Sequence, residues 1–265
     1  MNIFLHELKA IRKSTLLWTC SLVAIASLFL AMFPGLSSDA EDFKQVLAGY
    51  PVALRDALGM SLETITTLMG FYTFAFTYIL VASSIQAMNL GTSILSKEIR
   101  EKTADFLLTK PVSRTQILTA KLLAAITSLL ITQVVYLLIV SIIAVSIQDA
   151  TFELGTFLLI SLTAFLVQLI FLSIGYLFSV LLPRIRSVLA ISVGTVIGFF
   201  MITLFGSAVG DKAIRLITPF KLYDTSYIRV HSSYEGFYIL VEVIFVAIIL
   251  LTSYVIYLKK DIHAV

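Results

Sequence analysis

The residues able to do chemistry are few and scattered. One cysteine, Cys20, sits in an apolar run, and the three histidines, His6, His231 and His263, lie far apart. Neither a disulfide framework nor a cysteine metal cluster can be assembled from them. A phosphate-cradling P-loop ends in Gly-Lys followed by Ser or Thr, and no Gly-Lys pair occurs anywhere in the chain. Intramembrane proteolysis needs a metal or nucleophile constellation, and the apolar stretches contain no histidine and no Asp pair. Three kinds of group remain. A dense charged run, Lys97, Glu98, Arg100, Glu101, Lys102 and Asp105, carries both signs and can dock a partner by charge. A single carboxylate, Glu242, stands inside an apolar stretch, where ionised groups are costly and functional by default. Four amides, Gln86, Asn89, Gln133 and Gln168, also lie in apolar stretches, where such groups bond neighbouring helices or line a route.

The elements that must position these groups follow from composition. The 265 residues are 59% hydrophobic and 13% charged, with mean hydropathy +1.00, against about 25% charged for a soluble domain. Too little polar surface exists to cover a water-soluble globule, so a polytopic membrane protein is expected. Spans of roughly 20 apolar residues read as 15–33, 65–89, 122–147, 154–182, 188–209 and 237–258. Of the 35 Asp, Glu, Lys and Arg residues, only Glu242 falls inside them. The runs are continuously apolar, unlike the alternating strands of a barrel. The first is longer than a signal peptide's apolar core and reads as an uncleaved anchor.

Six spans place both termini on one side. That side, comprising 1–14, 90–121, 183–187 and 259–265, holds 13 of the Lys and Arg residues; the other, comprising 34–64, 148–153 and 210–236, holds 6. By the positive-inside rule both termini are cytoplasmic. A net charge of +3 is explained by this topology and gives no reason to expect nucleic acid.

Residues 1–14 read as an amphipathic interfacial helix, with Phe4, Leu8 and Ile11 on one face. In 34–64, Ser38 and Glu41 have capping-box spacing, and Pro51 restarts a second segment. In 90–121, Leu95, Ile99 and Phe106 oppose the charged face, and Pro111 stops the helix near Lys110. Ser113 and Gln116 then form a second capping box that opens the helix leading into the third span. The product is a charged hairpin projecting from the cytoplasmic side.

The run Glu98…Glu101-Lys102-Thr103…Phe106-Leu107-Leu108…Pro111-Val112-Ser113-Arg114…Ile117…Lys121 resembles the cytoplasmic loop of ABC-2 type transporter permeases, with Lys102 where glycine is common. Tyr50-Pro51 before the second span and Thr218-Pro219-Phe220-Lys221 before the sixth resemble the same family, so the likeness covers essentially the whole chain. It implies one all-α transmembrane domain, with six helices, an N-terminal interfacial helix and a coupling-helix hairpin. It also implies half of an exporter pathway, completed by a second permease copy or paralogue. A separate ATPase subunit would hold ATP and Mg, while this chain would bind no cofactor and catalyse nothing itself.

The resemblance further implies that Glu98, Arg100, Glu101, Lys102, Asp105, Pro111 and Arg114 couple to the ATPase. Spans two and five would line the route at the dimer seam, which makes Phe71, Phe74, Tyr78, Gly194, Gly198 and Phe199 the candidates there. Segment 210–236 would form a re-entrant cap on the outer mouth. An apolar, aromatic interior suits an amphipathic or hydrophobic cargo such as a drug, peptide or lipid. The competing reading is an ATP-independent channel or secondary transporter. Those rely on midplane charges or broken helices, for which Glu242 stands alone.

Overall fold

The computed structural model describes residues 3–57, 62–100, 113–150, 152–182, 185–209 and 214–259. Among these residues every regular element is helical: α1 (Ile3–Ser38), α2 (Ala40–Ala48), α3 (Val52–Ala57), α4 (Leu68–Arg100), α5 (Arg114–Ser146) and α6 (Leu154–Leu181). They are followed by α7 (Val188–Val209), α8 (Ile214–Ile217), α9 (Pro219–Leu222), α10 (Thr225–His231) and α11 (Gly236–Lys259). Six of them, α1, α4, α5, α6, α7 and α11, are long and apolar enough to cross a bilayer. The protein is an all-α, multi-pass membrane protein.

The helices outrun the apolar segments that nucleate them. Residues 1–14 and 15–33 read as two elements in the sequence, yet α1 runs unbroken for 36 residues. At 1.5 Å per residue this is about 54 Å, well beyond a hydrocarbon core of about 30 Å, so it tilts or projects into an interface. The helix even passes through Pro34, which has no N–H to give to the preceding turn. The capping box expected at Ser38 does not form. Ser38 is still helical and its hydroxyl turns back to the Gly35 carbonyl at 2.7 Å, leaving Asp39 as the N-cap of α2 without a side-chain bond. The second box forms as expected. The Ser113 hydroxyl accepts from Gln116 N–H at 3.2 Å, and Gln116 Oε1 accepts from Ser113 N–H at 3.1 Å.

α4 and α6 make the central pair and the most extensive contact of the bundle. Two glycines allow it. A Cβ on Gly91 would lie 2.4 Å from the Leu172 carbonyl oxygen, and one on Gly175 would lie 2.6 Å from that of Met88. Without side chains at the crossing the backbones approach closely, the usual device where lipid supplies no hydrophobic drive. α1 packs on α5 and α4, α7 on α4, and α11 on α6. The short α3 rests on α7, and α10 on α6. The outer helices turn large apolar side chains outward, among them Leu17 and Leu28 of α1, Leu138 and Ile142 of α5, Phe205 of α7 and Leu251 of α11. In water this surface would be untenable; in lipid it is the solvated face.

Polar side chains point inward instead. Thr15 and Ser128 hydroxyls meet at 2.6 Å, Thr19 and Thr132 at 2.9 Å, and Gln86 donates to Thr132 at 3.1 Å. Gln168 donates to Gln86 and to the Ser83 carbonyl, both at 3.2 Å. Gln133 donates to the Ser161 carbonyl at 2.9 Å, and Tyr72 links Ser161 and Tyr136. This ladder joins α1, α5, α4 and α6, because a polar group with no water nearby must find a partner inside the protein.

Candidate functional site

The charged run expected to form a hairpin stands in the chain from the last turn of α4 toward α5. α4 extends to Arg100 and α5 begins at Arg114. Glu98 and Arg100 therefore lie on the last turn of α4. Glu101, Lys102, Asp105 and Pro111 lie outside the described residues. Arg114 is the first residue of α5 and is half-buried.

The root of the hairpin is tied on every side. Lys121, one of the most deeply buried large side chains, donates from Nζ to Glu7 Oε1 and to the Ile94 carbonyl, each at 3.0 Å. One ammonium thus joins α1, α4 and α5 where both hairpin arms emerge. Tyr176 of α6 donates to the Leu118 carbonyl at 3.1 Å, and Tyr254 of α11 meets the Thr119 hydroxyl at 2.9 Å. Contacts of this part of α5 therefore reach four other spans, α1, α4, α6 and α11. The sequence marks Lys121 only as the end of a loop motif and does not single out Glu7. Their pairing spans 114 positions in the chain, which no local periodicity encodes.

The span-two aromatics pack on α1, although Tyr78 is also exposed. Phe71 is buried, with Phe33 of α1 at 5.8 Å between ring centroids, and Tyr78 stacks on Phe29 of α1 at 5.6 Å. Phe74 meets Phe29 edge-on at 6.2 Å. On α7, Phe199 turns inward onto Phe171 of α6 at 5.9 Å. Gly194 and Gly198 are exposed, and nothing lies within 4 Å of a Cβ built on either. These two glycines open a flat strip on the outer face of α7, whereas the crossing that needs glycine within the chain uses Gly91 and Gly175.

A cleft of about 120 Å³ opens between α1 and α4 near the hairpin root. Gln86, Leu90 and Ser128 form its buried back, and Ala10, Ser14, Trp18, Asn89 and Ser93 form its sides and lip. Of the four amides singled out from the sequence, the three glutamines bond across helices. Asn89 faces this cleft instead.

At the opposite end, the 214–235 region folds over the spans. Glu242, 4% exposed, accepts a hydrogen bond from the Tyr223 hydroxyl. Tyr223 follows α9 in an extended conformation that carries its ring inward, while Arg229 bonds Thr64 at 2.6 Å. Arg215 pairs with Glu235 and lies 4.0 Å over the Tyr238 ring. Tyr234 donates to the Leu159 carbonyl at 2.6 Å. Burial, reinforced by the Glu242 contact, pushes the Tyr223 hydroxyl well above its ordinary range. Burial does the same to Tyr234. For Arg215 burial opposes the charge, but the Glu235 carboxylate outweighs it and raises the guanidinium further.

The family model described as ABC-2 family transporter protein matches residues 1–262. No curated protein matches the chain at a significant level.

Proposed function

From the premise that this chain belongs to the ABC-2 transporter family, as a membrane component of an ABC transporter, we propose that it is one half of an exporter pathway worked by a separate ATPase. Two permease halves, copies or paralogues, form the route. ATP and Mg reside on the partner, which docks on the 90–121 hairpin from the cytoplasm, with both permease termini on that side of the cell membrane. Closure of the ATPase pair moves the hairpin, and the seam between permeases opens outward.

The observation that carries this reading is the Lys121 junction. A charged hairpin whose two arms are bound at their root to α1, α4 and α5 through one buried ammonium can pass a push to the spans. A hairpin on slack connections would absorb it. The open Gly194–Gly198 strip supports a seam at α7, since a stretch without side chains admits a second helix closely. The cargo this interior suits is amphipathic or hydrophobic.

The test is co-purification of the full complex in mild detergent. Reversing the charges of Glu98, Glu101 and Asp105 together is expected to release the ATPase or to abolish transport-linked hydrolysis. Unchanged association and unchanged coupling in that triple variant overturn the docking assignment.

A further inference from the structure

We propose that the cleft between α1 and α4 is a binding site for the uncharged, ester-bearing polar region of a membrane amphiphile drawn from the leaflet on the hairpin side. The chemistry of the lining selects the ligand. Ser14, Thr15, Trp18, Gln86, Asn89, Ser93 and Ser128 offer hydroxyl, amide and indole groups, and among the described residues no ionisable side chain lines the cleft. Hydrogen-bond acceptors such as ester carbonyls fit that set; a phosphate or a carboxylate would find no counter-charge.

Depth fixes the region of the ligand. The cleft lies beside Ala10–Trp18 of α1 and Gln86–Ser93 of α4, and the same end of α1 carries the exposed Lys9, Arg12 and Lys13, none of which lines it. Exposed basic side chains beside a neutral polar cleft match the interfacial part of a leaflet, where headgroups meet glycerol esters.

Two groups await a partner. Gln86 and Ser128 at the back already bond Thr132 and Thr15. Among the described residues the side-chain amide of Asn89 and the indole N–H of Trp18, both half-buried, have none. Groups at this depth that the protein leaves unsatisfied must be satisfied from outside it. Both are donors, and the acyl esters of a bilayer amphiphile are the acceptors within reach. The lip formed by Ala10 and Ser14 is exposed, so a ligand enters sideways from lipid. The same chemistry belongs to a resident lipid and to an amphipathic cargo, and only the second source rests on the transport reading above.

Trp18 is the only tryptophan in the chain, so its emission reports the cleft directly. The full-length protein is placed in nanodiscs of diether phosphatidylcholine, which lacks ester carbonyls, and dioleoylglycerol is added in increasing mole fraction. The expected result is a saturable change in Trp18 emission. Asn89→Leu removes one donor bond, worth about 1 kcal/mol, and raises half-saturation about five- to tenfold. Ala10→Phe, at an exposed position, fills the cleft without disturbing the core and abolishes the saturable phase. A response that is linear in mole fraction, or the same in both variants, means ordinary bilayer contact or water in the cleft and overturns the site. In the complete complex, stimulation of ATP hydrolysis by dioleoylglycerol that Ala10→Phe removes identifies the ligand as cargo. Saturable binding without stimulation identifies a resident lipid, and leaves the site standing even where the transport reading fails.

Discussion

Replacing Lys121 by methionine tests the junction at its centre. Methionine keeps the length and most of the volume of the lysine stem, so packing survives while the ammonium is lost. Among the described residues the Glu7 carboxylate and the Ile94 carbonyl, each 3.0 Å from Nζ, then lose their donor. Breaking one side of a buried pair costs about 3–5 kcal/mol. The Glu7 side chain retains 14% of its exposure, so water relieves part of the loss and the lower end, about 3 kcal/mol, is expected. Glu7→Gln in the Lys121→Met background removes the stranded charge and recovers about 1–2 kcal/mol. The assay is reversible unfolding in mixed micelles with increasing dodecyl sulfate, run as a full double-mutant cycle. A second readout, the ratio of ATP hydrolysed to cargo moved, separates a weakened fold from a slack hairpin. If Lys121→Met unfolds within about 0.5 kcal/mol of the parent and the coupling energy is near zero, Lys121 is a spectator and the argument for force transfer through the hairpin root fails.

Three other expectations follow from particular contacts. Gly175→Ala sets a methyl 2.6 Å from the Met88 carbonyl oxygen and 2.9 Å from Thr92 N, both backbone atoms. α4 and α6 must separate, at a cost of about 1–3 kcal/mol measurable in the same unfolding assay, whereas Gly194→Ala should change stability little in the single chain. Cysteine at Gly194 or Gly198 should cross-link between two permease copies in at least one nucleotide state, and failure in every state counts against a seam at α7. Tyr223→Phe leaves Glu242 buried without its donor and should destabilise the fold by about 1–3 kcal/mol. Because the Tyr223 hydroxyl is raised above its unfolded value, its contribution is complete below an ordinary tyrosine pKa of about 10 and fades only as pH rises through the higher folded value. A parent-minus-Phe stability difference that vanishes below pH 9 would contradict this.

Sequence alone marked six segments apolar enough to cross a membrane. Charge in hydrocarbon is costly enough that 34 of the 35 Asp, Glu, Lys and Arg residues stand outside six apolar runs, and those runs are the six long helices. The Ser113–Gln116 box was legible because capping is local, closing over three residues. Ser38 carried the same signal and failed, since α1 runs on through Pro34 to Ser38 itself, whose hydroxyl bonds back to the Gly35 carbonyl. Glycine spacing was legible at Gly194 and Gly198, but not whether that strip is covered or open.

Only the tertiary structure decided which spans are central and where each polar group goes. The glycines at the tightest crossing, Gly91 and Gly175, are 84 residues apart and share no repeat. Lys121 reaches across 114 residues to Glu7, and Tyr223 reaches across 19 to Glu242. Gln86 and Asn89 sit three positions apart on one apolar helix, yet one bonds Thr132 and the other faces a cleft. The physical reason is common to all of these. Entry into lipid depends on each segment's own transfer free energy, which is written in consecutive residues, whereas pairing inside the bundle depends on which helix faces are brought together, and that is set by the packing of all six at once.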